Sequence, residues 1–224
     1  MSGPLVQVSD LRVAFRSQDG TANAVNGVDF TLDGGEVLVI LGESGSGKSV
    51  TMRAMMRLLP GRKTDITGSV RIAGHDILGL SERRMADLRG PVVSMIFQEP
   101  MTAFDPVFTV GDQISESIRR HEGVSKDAAR RRALELLEMV QIPSAKRRLD
   151  NYPFEMSGGM RQRAMIALAL ACKPSLLLAD EPTTALDATV QIQILLLLRQ
   201  LQRELGMAVM FVTHDIGVAV EIGD

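Results

Sequence analysis

Residues 36–55 read EVLVILGESGSGKSVTMRAM, and this stretch decides the fold. After the leading glutamate come five apolar residues, as expected of a buried central strand with other layers on both of its faces. Residues 42–49 match the pattern G-x-x-x-x-G-K-[ST], and a helix is predicted over residues 50–59. A strand, a glycine-rich loop and a helix in this order predict a loop whose backbone N–H groups bind phosphate.

The side chains of this loop indicate how a nucleoside triphosphate would be held. Lys48 is expected to reach the β- and γ-phosphates, and the hydroxyl of Ser49 is expected to bind Mg²⁺. An ordinary glycine turn is the alternative interpretation, but the strand before the loop and the helix after it argue against it. The predicted nucleotide-binding residues of this segment are Gly42, Ser44, Gly45, Gly47, Lys48, Ser49 and Val50.

Three more buried strands are predicted at residues 92–97, 175–179 and 208–213, each followed by polar residues or glycine. Helical stretches lie between them. Together with the glycine-rich loop, this alternation predicts an α/β fold, a P-loop NTPase core with a mostly parallel sheet.

Two further regions stand apart from this core. Alternating apolar residues predict antiparallel strands over residues 6–15 and 25–32, with a turn at Asp19-Gly20. Residues 110–152 contain no candidate for a buried strand and predict an α-helical insert with one apolar face. That face consists of Ala129, Ala133, Leu134, Leu137 and Val140.

The composition excludes several classes of protein. The 224 residues are 45% hydrophobic and 23% charged, which excludes disorder as the main state. Lys plus Arg total 25 and Asp plus Glu 27, so no global basic field favours nucleic acid or anionic lipid. The single cysteine, Cys172, excludes an intrachain disulfide and fits a reducing compartment. An apolar helix pattern still runs at Asp224, so we expect a longer protein.

Basic residues gather in the predicted helical insert, and they have two interpretations. They could form a nucleic-acid patch or one solvated helix face, and the acidic residues interleaved with them favour the solvated face. The basic residues are Arg119, Arg120, Lys126, Arg130, Arg131, Arg132, Lys146, Arg147 and Arg148, and the acidic ones are Glu122, Asp127, Glu135, Glu138 and Asp150.

Two adjacent carboxylates end the predicted strand over residues 175–179. A parallel strand would bring Asp180 beside the phosphate loop, where it could hold Mg²⁺ through water. Glu181 could then take a proton from a water that attacks the γ-phosphate. In isolation this pair could also be a helix cap beside Pro182, but the phosphate loop upstream favours the catalytic interpretation.

A second glycine-rich helix start lies at Ser157, Gly158 and Gly159, which we call the signature turn. At this point the sequence resembles the ATP-binding-cassette (ABC) ATPases, whose signature motif has this Ser-Gly-Gly at its centre. The resemblance implies a head-to-tail dimer, in which the signature turn of one subunit covers the ATP held by the phosphate loop of the other. It also implies a fold with an antiparallel β subdomain and an α-helical subdomain.

Further positions match the family in order, and the resemblance covers essentially the whole chain. It implies that Phe15 stacks on adenine and that Gln98 touches Mg²⁺ and couples to membrane subunits. The loop of residues 185–187 would cross the dimer interface, bringing Asp187 to the nucleotide. His214 would contact the γ-phosphate. Taken singly, an aromatic on a first strand or a histidine after a strand is more often structural.

Longer segments resemble one branch of the family, the ATPases of oligopeptide, dipeptide and glutathione importers. The matching segments are residues 42–49, 95–102, 157–163 and 179–187. Two departures stand out. Met156 replaces the commoner Leu or Phe before the signature turn, and residues 103–105 read Ala-Phe-Asp where relatives often have Ser-Leu-Asn, near the surface that couples to the permease.

The resemblance therefore implies an ATP-hydrolysing subunit of a bacterial peptide or glutathione importer, peripheral at the cytoplasmic face of the membrane. Its cofactors would be ATP and Mg²⁺. Its partners would be a second cassette, two membrane-spanning permease subunits and an external substrate-binding protein, with no nucleic acid. The alternatives are a soluble ABC ATPase that acts on DNA or ribosomes and a transporter for a non-peptide substrate.

The same resemblance implies how the chain is divided into subdomains and which residues form the site. Residues 1–224 would form one nucleotide-binding domain, with a catalytic core over residues 1–98 and 174–224 and a helical subdomain over about 104–172. The expected catalytic residues are Glu181, His214, Lys48 and Gln98, and the expected metal-binding residues are Ser49, Gln98 and Asp180.

Overall fold

The computed structural model describes residues 3–18, 20–184 and 186–223, which form two sheets and several helices. The strands are β1 (Val6–Ser17), β2 (Gly20–Leu32), β3 (Val37–Leu41), β4 (Thr64–Ile72), β5 (His75–Asp76), β6 (Val93–Ile96), β7 (Leu176–Asp180) and β8 (Ala208–Thr213). The helices are α1 (Lys48–Met55), α2 (Glu82–Leu88), α3 (Val110–Glu122), α4 (Lys126–Met139), α5 (Ala145–Arg148), α6 (Gly158–Leu170), α7 (Ala188–Leu205) and α8 (Ile216–Ile222). The two 3₁₀ turns are Pro100–Thr102 and Pro153–Glu155.

The predicted parallel sheet is confirmed, with the strand order β3-β8-β7-β6 and parallel pairing throughout. β7 and β8 are buried on both faces. Alternate residues of β7 enter two different cores: Leu177 and Ala179 pack with the helices α3 to α7, whereas Leu176 and Leu178 pack with the antiparallel sheet and α1. The sheet is therefore the middle layer of the molecule, and both of its faces are covered.

β3 occupies a different position from the predicted one. Both faces of this strand are apolar as expected, and Val39 and Ile40 pack into opposite cores. The strand lies at the edge of the described sheet, however, because it pairs only with β8. Four of its five residues are consequently half-buried, and Leu41 is 47% exposed. The prediction of a central strand was wrong because facial burial does not reveal the number of strand neighbours.

The antiparallel sheet has the order β2-β1-β4-β5 and confirms the two strands predicted near the N-terminus. β4 and β5 were not predicted, because the exposed polar residues and Gly68 of β4 interrupt the alternation of apolar residues. The predicted turn at Asp19-Gly20 includes a residue outside the described ones, and Gly20 begins β2.

The helical insert is confirmed over α3, α4 and α5, which have no strand between them. Ala129, Ala133, Leu137 and Val140 are buried as predicted, and Leu134 is partly buried against the same core. Side-chain caps begin the two long helices. Thr109 accepts a hydrogen bond from the Asp112 N–H at 3.1 Å, and Ser125 accepts one from the Ala128 N–H at 3.3 Å.

Helix α1 is shorter than predicted. It begins at Lys48 and ends at Met55, whereas the sequence predicted a helix over residues 50–59. Arg57 adopts a left-handed backbone with φ of 51°, and its guanidinium donates to the Leu80 carbonyl oxygen. Local backbone bonds close the helix at this residue: the Arg57 N–H donates to the Ala54 carbonyl oxygen at 3.0 Å, and the Leu58 N–H donates to the Arg53 carbonyl oxygen at 2.8 Å. The sequence does not reveal this helix end, because the left-handed position holds an arginine rather than the usual glycine.

Gly68 gives a test of the antiparallel sheet. Its φ is +96°, and an added Cβ would lie 2.3 Å from the Asp10 carbonyl oxygen. We expect Gly68→Ala to lower the free energy of unfolding by about 3 kcal/mol, because backbone strain and a clash with backbone act together. Gly74→Ala is the control, since its φ is +79° but no atom lies within 4 Å of the new Cβ. Equal midpoints for both variants in urea unfolding would contradict the close approach of β1 and β4.

Candidate active site

The glycine-rich loop between β3 and α1 is held closed by its neighbours. A Cβ on Gly47 would lie 2.3 Å from the Ala24 carbonyl oxygen, so β2 approaches too closely for any side chain there. Lys48 is buried although it is charged. Its ammonium donates to the carbonyl oxygens of Gly42 and Glu43 at 2.6 and 2.7 Å. The loop thus encloses a fixed positive charge at the start of a helix, which is an environment that favours phosphate.

Behind the loop, Ser49 contacts the end of β7. Its hydroxyl donates to Oδ1 of Asp180 at 2.6 Å, and Asp180 is only 1% exposed. Oδ2 of the same carboxylate is buried and has no hydrogen-bond partner in the described part of the chain. Burial raises the pKa of Asp180, and the hydrogen bond from Ser49 offsets part of this effect. An unpartnered carboxylate oxygen beside a hydroxyl is a donor set that suits Mg²⁺.

Glu181 follows Asp180, and three side chains from different loops contact its carboxylate. Nδ1 of His214 lies 3.1 Å from Oε2, and Nε2 of Gln98 donates to the same oxygen at 3.4 Å. The hydroxyl of Thr184 donates to it at 3.0 Å. The sequence predicted the first two residues but missed Thr184, since a threonine in a turn carries no signal of its own.

The backbone of Glu181 is left-handed, with φ of 45°, and its N–H donates to the Val212 carbonyl oxygen at 3.1 Å. A non-glycine residue in this region is strained, and such strain is often found at functional sites. The bond to β8 helps to hold the conformation. The Glu181 side chain is 11% exposed, whereas that of His214 is 52% exposed.

These side chains line one cleft of about 610 Å³ beside the phosphate loop. The cleft is lined by Leu41, Gly42, Glu43, Ser44, Gln98, Glu181, Thr184, His214 and Ile216. It therefore joins a phosphate-binding loop to a carboxylate and an imidazole. This arrangement can hold a phosphate ester and take a proton from a water beside it.

The signature turn belongs to a second group of residues. Ser157 caps α6 by accepting a hydrogen bond from the Met160 N–H at 3.3 Å. A Cβ on Gly159 would lie 2.9 Å from Cγ1 of Val190, so the turn packs closely against α7. Asp187 caps α7 through the Val190 N–H at 3.0 Å. Among the described residues, no hydrogen bond or ion pair joins the signature turn or Asp187 to residues 42–49.

Phe15 lies apart from the cleft residues. It is half-buried in β1, pairs with Ala22 of β2 and packs against the core that contains α1. Ala24, two residues further along β2, contacts Gly47 of the phosphate loop. Of the predicted loop 185–187, residue 185 lies outside the described residues, while Leu186 lies 3.8 Å from the position of a Cβ on Gly158.

A model of the family described as "ABC transporter" matches residues 25–184. The oligopeptide transport ATP-binding protein OppD of Bacillus subtilis is 49% identical over 221 residues, 98% of this chain and 62% of OppD. The glutathione import ATP-binding protein GsiA of Pectobacterium atrosepticum is 52% identical over 231 residues, 98% of this chain and 36% of GsiA. The chain thus spans 36 to 62% of the length of these two relatives.

A solved structure shows the same fold. The ATP-binding cassette MJ0796, in a dimeric post-hydrolysis state bound to ADP and Pi, superposes with a TM-score of 0.85 at 31% identity, covering 96% of this chain and 90% of that one. No helix among the described residues has both the length and the apolar character needed to cross a membrane. By its sequence and its fold alike, this chain belongs to the ABC transporter family and contains the ATP-binding cassette of that family.

Proposed function

We propose that this chain binds ATP with Mg²⁺ and hydrolyses it to power the import of peptides through partner permeases. The observation that carries the proposal is the Glu181 carboxylate, which lies in one cleft with the phosphate loop and accepts hydrogen bonds from the ends of other strands. The names of the relatives, which describe oligopeptide transport and glutathione import, support the substrate class.

The phosphate loop supplies the binding energy for the nucleotide. Backbone N–H groups of residues 42–50 and the N-terminus of α1 bind the phosphate oxygens, and Lys48 adds a full positive charge at the β- and γ-phosphates. Gly47 keeps the loop close to β2. Phe15 stacks on adenine, which extends the site towards the antiparallel sheet. We expect the residues that contact nucleotide here to be Phe15, Gly42, Ser44, Gly45, Gly47, Lys48, Ser49 and Val50.

Ser49, Asp180 and Gln98 would hold Mg²⁺, the first through its hydroxyl, the second through water at its unpartnered oxygen and the third through its side-chain amide. The fit rests on the buried Oδ2 of Asp180 and on the 2.6 Å contact of Oδ1 with Ser49. When bound, the ion supplies positive charge that neutralises the phosphate oxygens. A cation beside the Asp180 carboxylate would also offset the free-energy cost of burying that negative charge.

Hydrolysis uses the carboxylate and the imidazole at the mouth of the cleft. Glu181 acts as the general base and takes a proton from the attacking water. His214 contacts the γ-phosphate and, through Nδ1, orients Glu181 at 3.1 Å. Gln98 contributes a second donor to the same carboxylate. Glu181 has a left-handed backbone, and its side chain lines the cleft.

A second copy or a related cassette completes the site. The signature turn and Asp187 pack side by side around the start of α7, and within the part of the chain that the structure describes they make no hydrogen bond to the phosphate loop. They are therefore free to cover a nucleotide on another subunit, with Ser157, Gly158 and Gly159 at its phosphates. The structure of MJ0796 in its ADP-and-Pi state is described as dimeric.

The names of the relatives, which describe transport and import, support a set of membrane partners. We propose two permease subunits, an external substrate-binding protein and a peripheral position at the cytoplasmic face of the membrane. The helical subdomain, about residues 104–172, and the Gln98 loop would transmit the closure of the dimer to the permeases. No observation favours a DNA- or ribosome-directed ATPase.

Glu181→Gln tests the chemical step. The amide cannot accept the proton, so we expect the kcat for ATP hydrolysis to fall by roughly 10² or more, while ATP binding stays within about twofold. Glu116→Gln is the control, because Glu116 is exposed on α3, away from the cleft. Phosphate release and ATP affinity would be measured on the intact protein, and unchanged turnover of Glu181→Gln would remove Glu181 from the role of base.

Asp180→Asn tests the metal site through stability. Burial raises the pKa of Asp180, so the folded chain binds this proton more tightly than the unfolded chain, and the ionised carboxylate opposes folding at neutral pH. We expect Asp180→Asn to raise Tm by about 2 to 4 °C at pH 7 without ligand, and to gain less Tm than wild type on adding Mg²⁺ and ATP.

The advantage of Asp180→Asn should shrink as the pH falls towards the ordinary aspartate pKa of 3.8, because the wild-type carboxyl then becomes neutral. Asp76→Asn, at an exposed aspartate, is the control for the removal of a negative charge. A Tm rise with Mg²⁺ and ATP as large as that of wild type would argue against Asp180 as a metal-binding residue.

Uptake in cells tests the substrate class. Cells that lack the protein should lose import of radiolabelled oligopeptides, glutathione or both, because the proposed dimer of cassettes cannot form without this chain. The wild-type gene should restore import, whereas Glu181→Gln should not. Normal import of both substrate classes in the deleted cells would contradict the proposal.

A further inference from the structure

Thr184 makes a short-range contact with the carboxylate at the centre of the site. Its hydroxyl donates to Oε2 of Glu181 at 3.0 Å, and its backbone N–H donates to the Glu181 carbonyl oxygen at 3.3 Å. Residues 181–184 thus form a turn closed by both backbone and side chain. Pro182 restricts the backbone of this turn further. Only two residues separate the donor from the carboxylate along the chain, so the turn fixes their relative position.

The donors around Glu181 are distributed unequally over its two oxygens. Thr184, His214 and Gln98 all contact Oε2, at 3.0, 3.1 and 3.4 Å. Within the described ranges of the chain, no hydrogen bond reaches Oε1. An oxygen that already accepts several hydrogen bonds is a poorer proton acceptor than its neighbour in the same carboxylate.

Thr184, unlike the other two donors, has no second contact proposed in the reaction. Gln98 and His214 also belong to the proposed contacts with Mg²⁺ and with the γ-phosphate, and the Gln98 contact is the longest of the three. The Thr184 hydroxyl has Glu181 as its side-chain partner in the described structure. The neighbouring Thr183 is buried and makes no side-chain hydrogen bond to Glu181.

We propose that Thr184 is a positioning residue for ATP hydrolysis: its hydroxyl anchors Oε2 of Glu181, so that Oε1 is the oxygen that receives the proton. This inference rests on the proposed role of Glu181 as the base. In the step, the water oxygen forms a bond to the γ-phosphorus while its proton passes to Oε1. The bond from the γ-phosphorus to the bridging oxygen breaks, and its electron pair remains on ADP.

The side-chain chemistry at residue 184 separates this role from a structural one. Valine has the shape of threonine but cannot donate a hydrogen bond, whereas serine keeps the hydroxyl and loses only a methyl group. Thr184 is exposed to solvent, so neither change removes buried apolar surface. Thr67→Val is the matched control, because Thr67 is exposed on β4, outside the cleft.

The experiment measures steady-state ATP hydrolysis by the intact protein for five variants: Thr184→Val, Thr184→Ser, Thr67→Val, Glu181→Gln and the double variant Thr184→Val with Glu181→Gln. We expect Thr184→Val to lower kcat about tenfold with KM for ATP within about twofold, since a hydrogen bond to a charged group is lost. Thr184→Ser should stay within about threefold of wild type, and Thr67→Val should match it. Thermal melts establish that each variant is folded. If Thr184→Val is not, Thr184→Ala takes its place in the single and the double variant.

The double variant decides whether Thr184 acts through Glu181. We expect Thr184→Val to cause no further loss in the Glu181→Gln background, because the base it positions is already absent. An additional tenfold loss there, or wild-type kcat for Thr184→Val alone, would overturn the inference while leaving Glu181 as the base. Wild-type turnover of Glu181→Gln would instead reject the proposed base, and the positioning role with it.

Discussion

The parallel register of β3, β8, β7 and β6 is the constraint on which the rest of the structure depends. Leu41 pairs with Thr213, and Asp180 pairs with Val212, so these strands end at nearly the same level. Because their carboxyl ends share one edge, the loops that follow them must meet there. The phosphate loop, the Glu181 turn, Gln98 and His214 come from four distant parts of the sequence, and this edge alone brings them into one cleft.

The two cores explain how the parallel sheet packs against helices on one face and against the antiparallel sheet on the other. Neighbouring residues of β7 and β8 point into opposite cores, one shared with the helices and the other with the antiparallel sheet. The antiparallel sheet approaches the phosphate loop through Ala24, and the helices carry the signature turn. The antiparallel sheet and the helices thus pack against the same parallel strands, and these strands set the positions of the residues around the cleft.

The sequence sufficed to predict the parallel strands, whose signal is local and strong. The glycine-rich loop lies between β3 and α1, and the adjacent carboxylates lie at the end of β7, as their short patterns indicate, while their roles stay predictions. The misses depend on features that no short sequence pattern encodes. The edge position of β3 depends on its strand partners, and the early end of α1 depends on a left-handed arginine where glycine would be the usual signal. Thr184 gained its significance only from the turn that folds it back onto Glu181.

The close packing of the signature turn against α7 has a consequence for how this sequence can vary. A Cβ on Gly159 would meet Cγ1 of Val190 at 2.9 Å, so the space between the two elements is shared by residues 31 positions apart. A side chain at position 159 therefore requires a residue smaller than valine at position 190, or else α6 and α7 must separate. Among homologues, a residue other than glycine at position 159 is thus expected together with a smaller residue at position 190, which makes the pair an evolutionary marker of how closely the signature turn packs against α7.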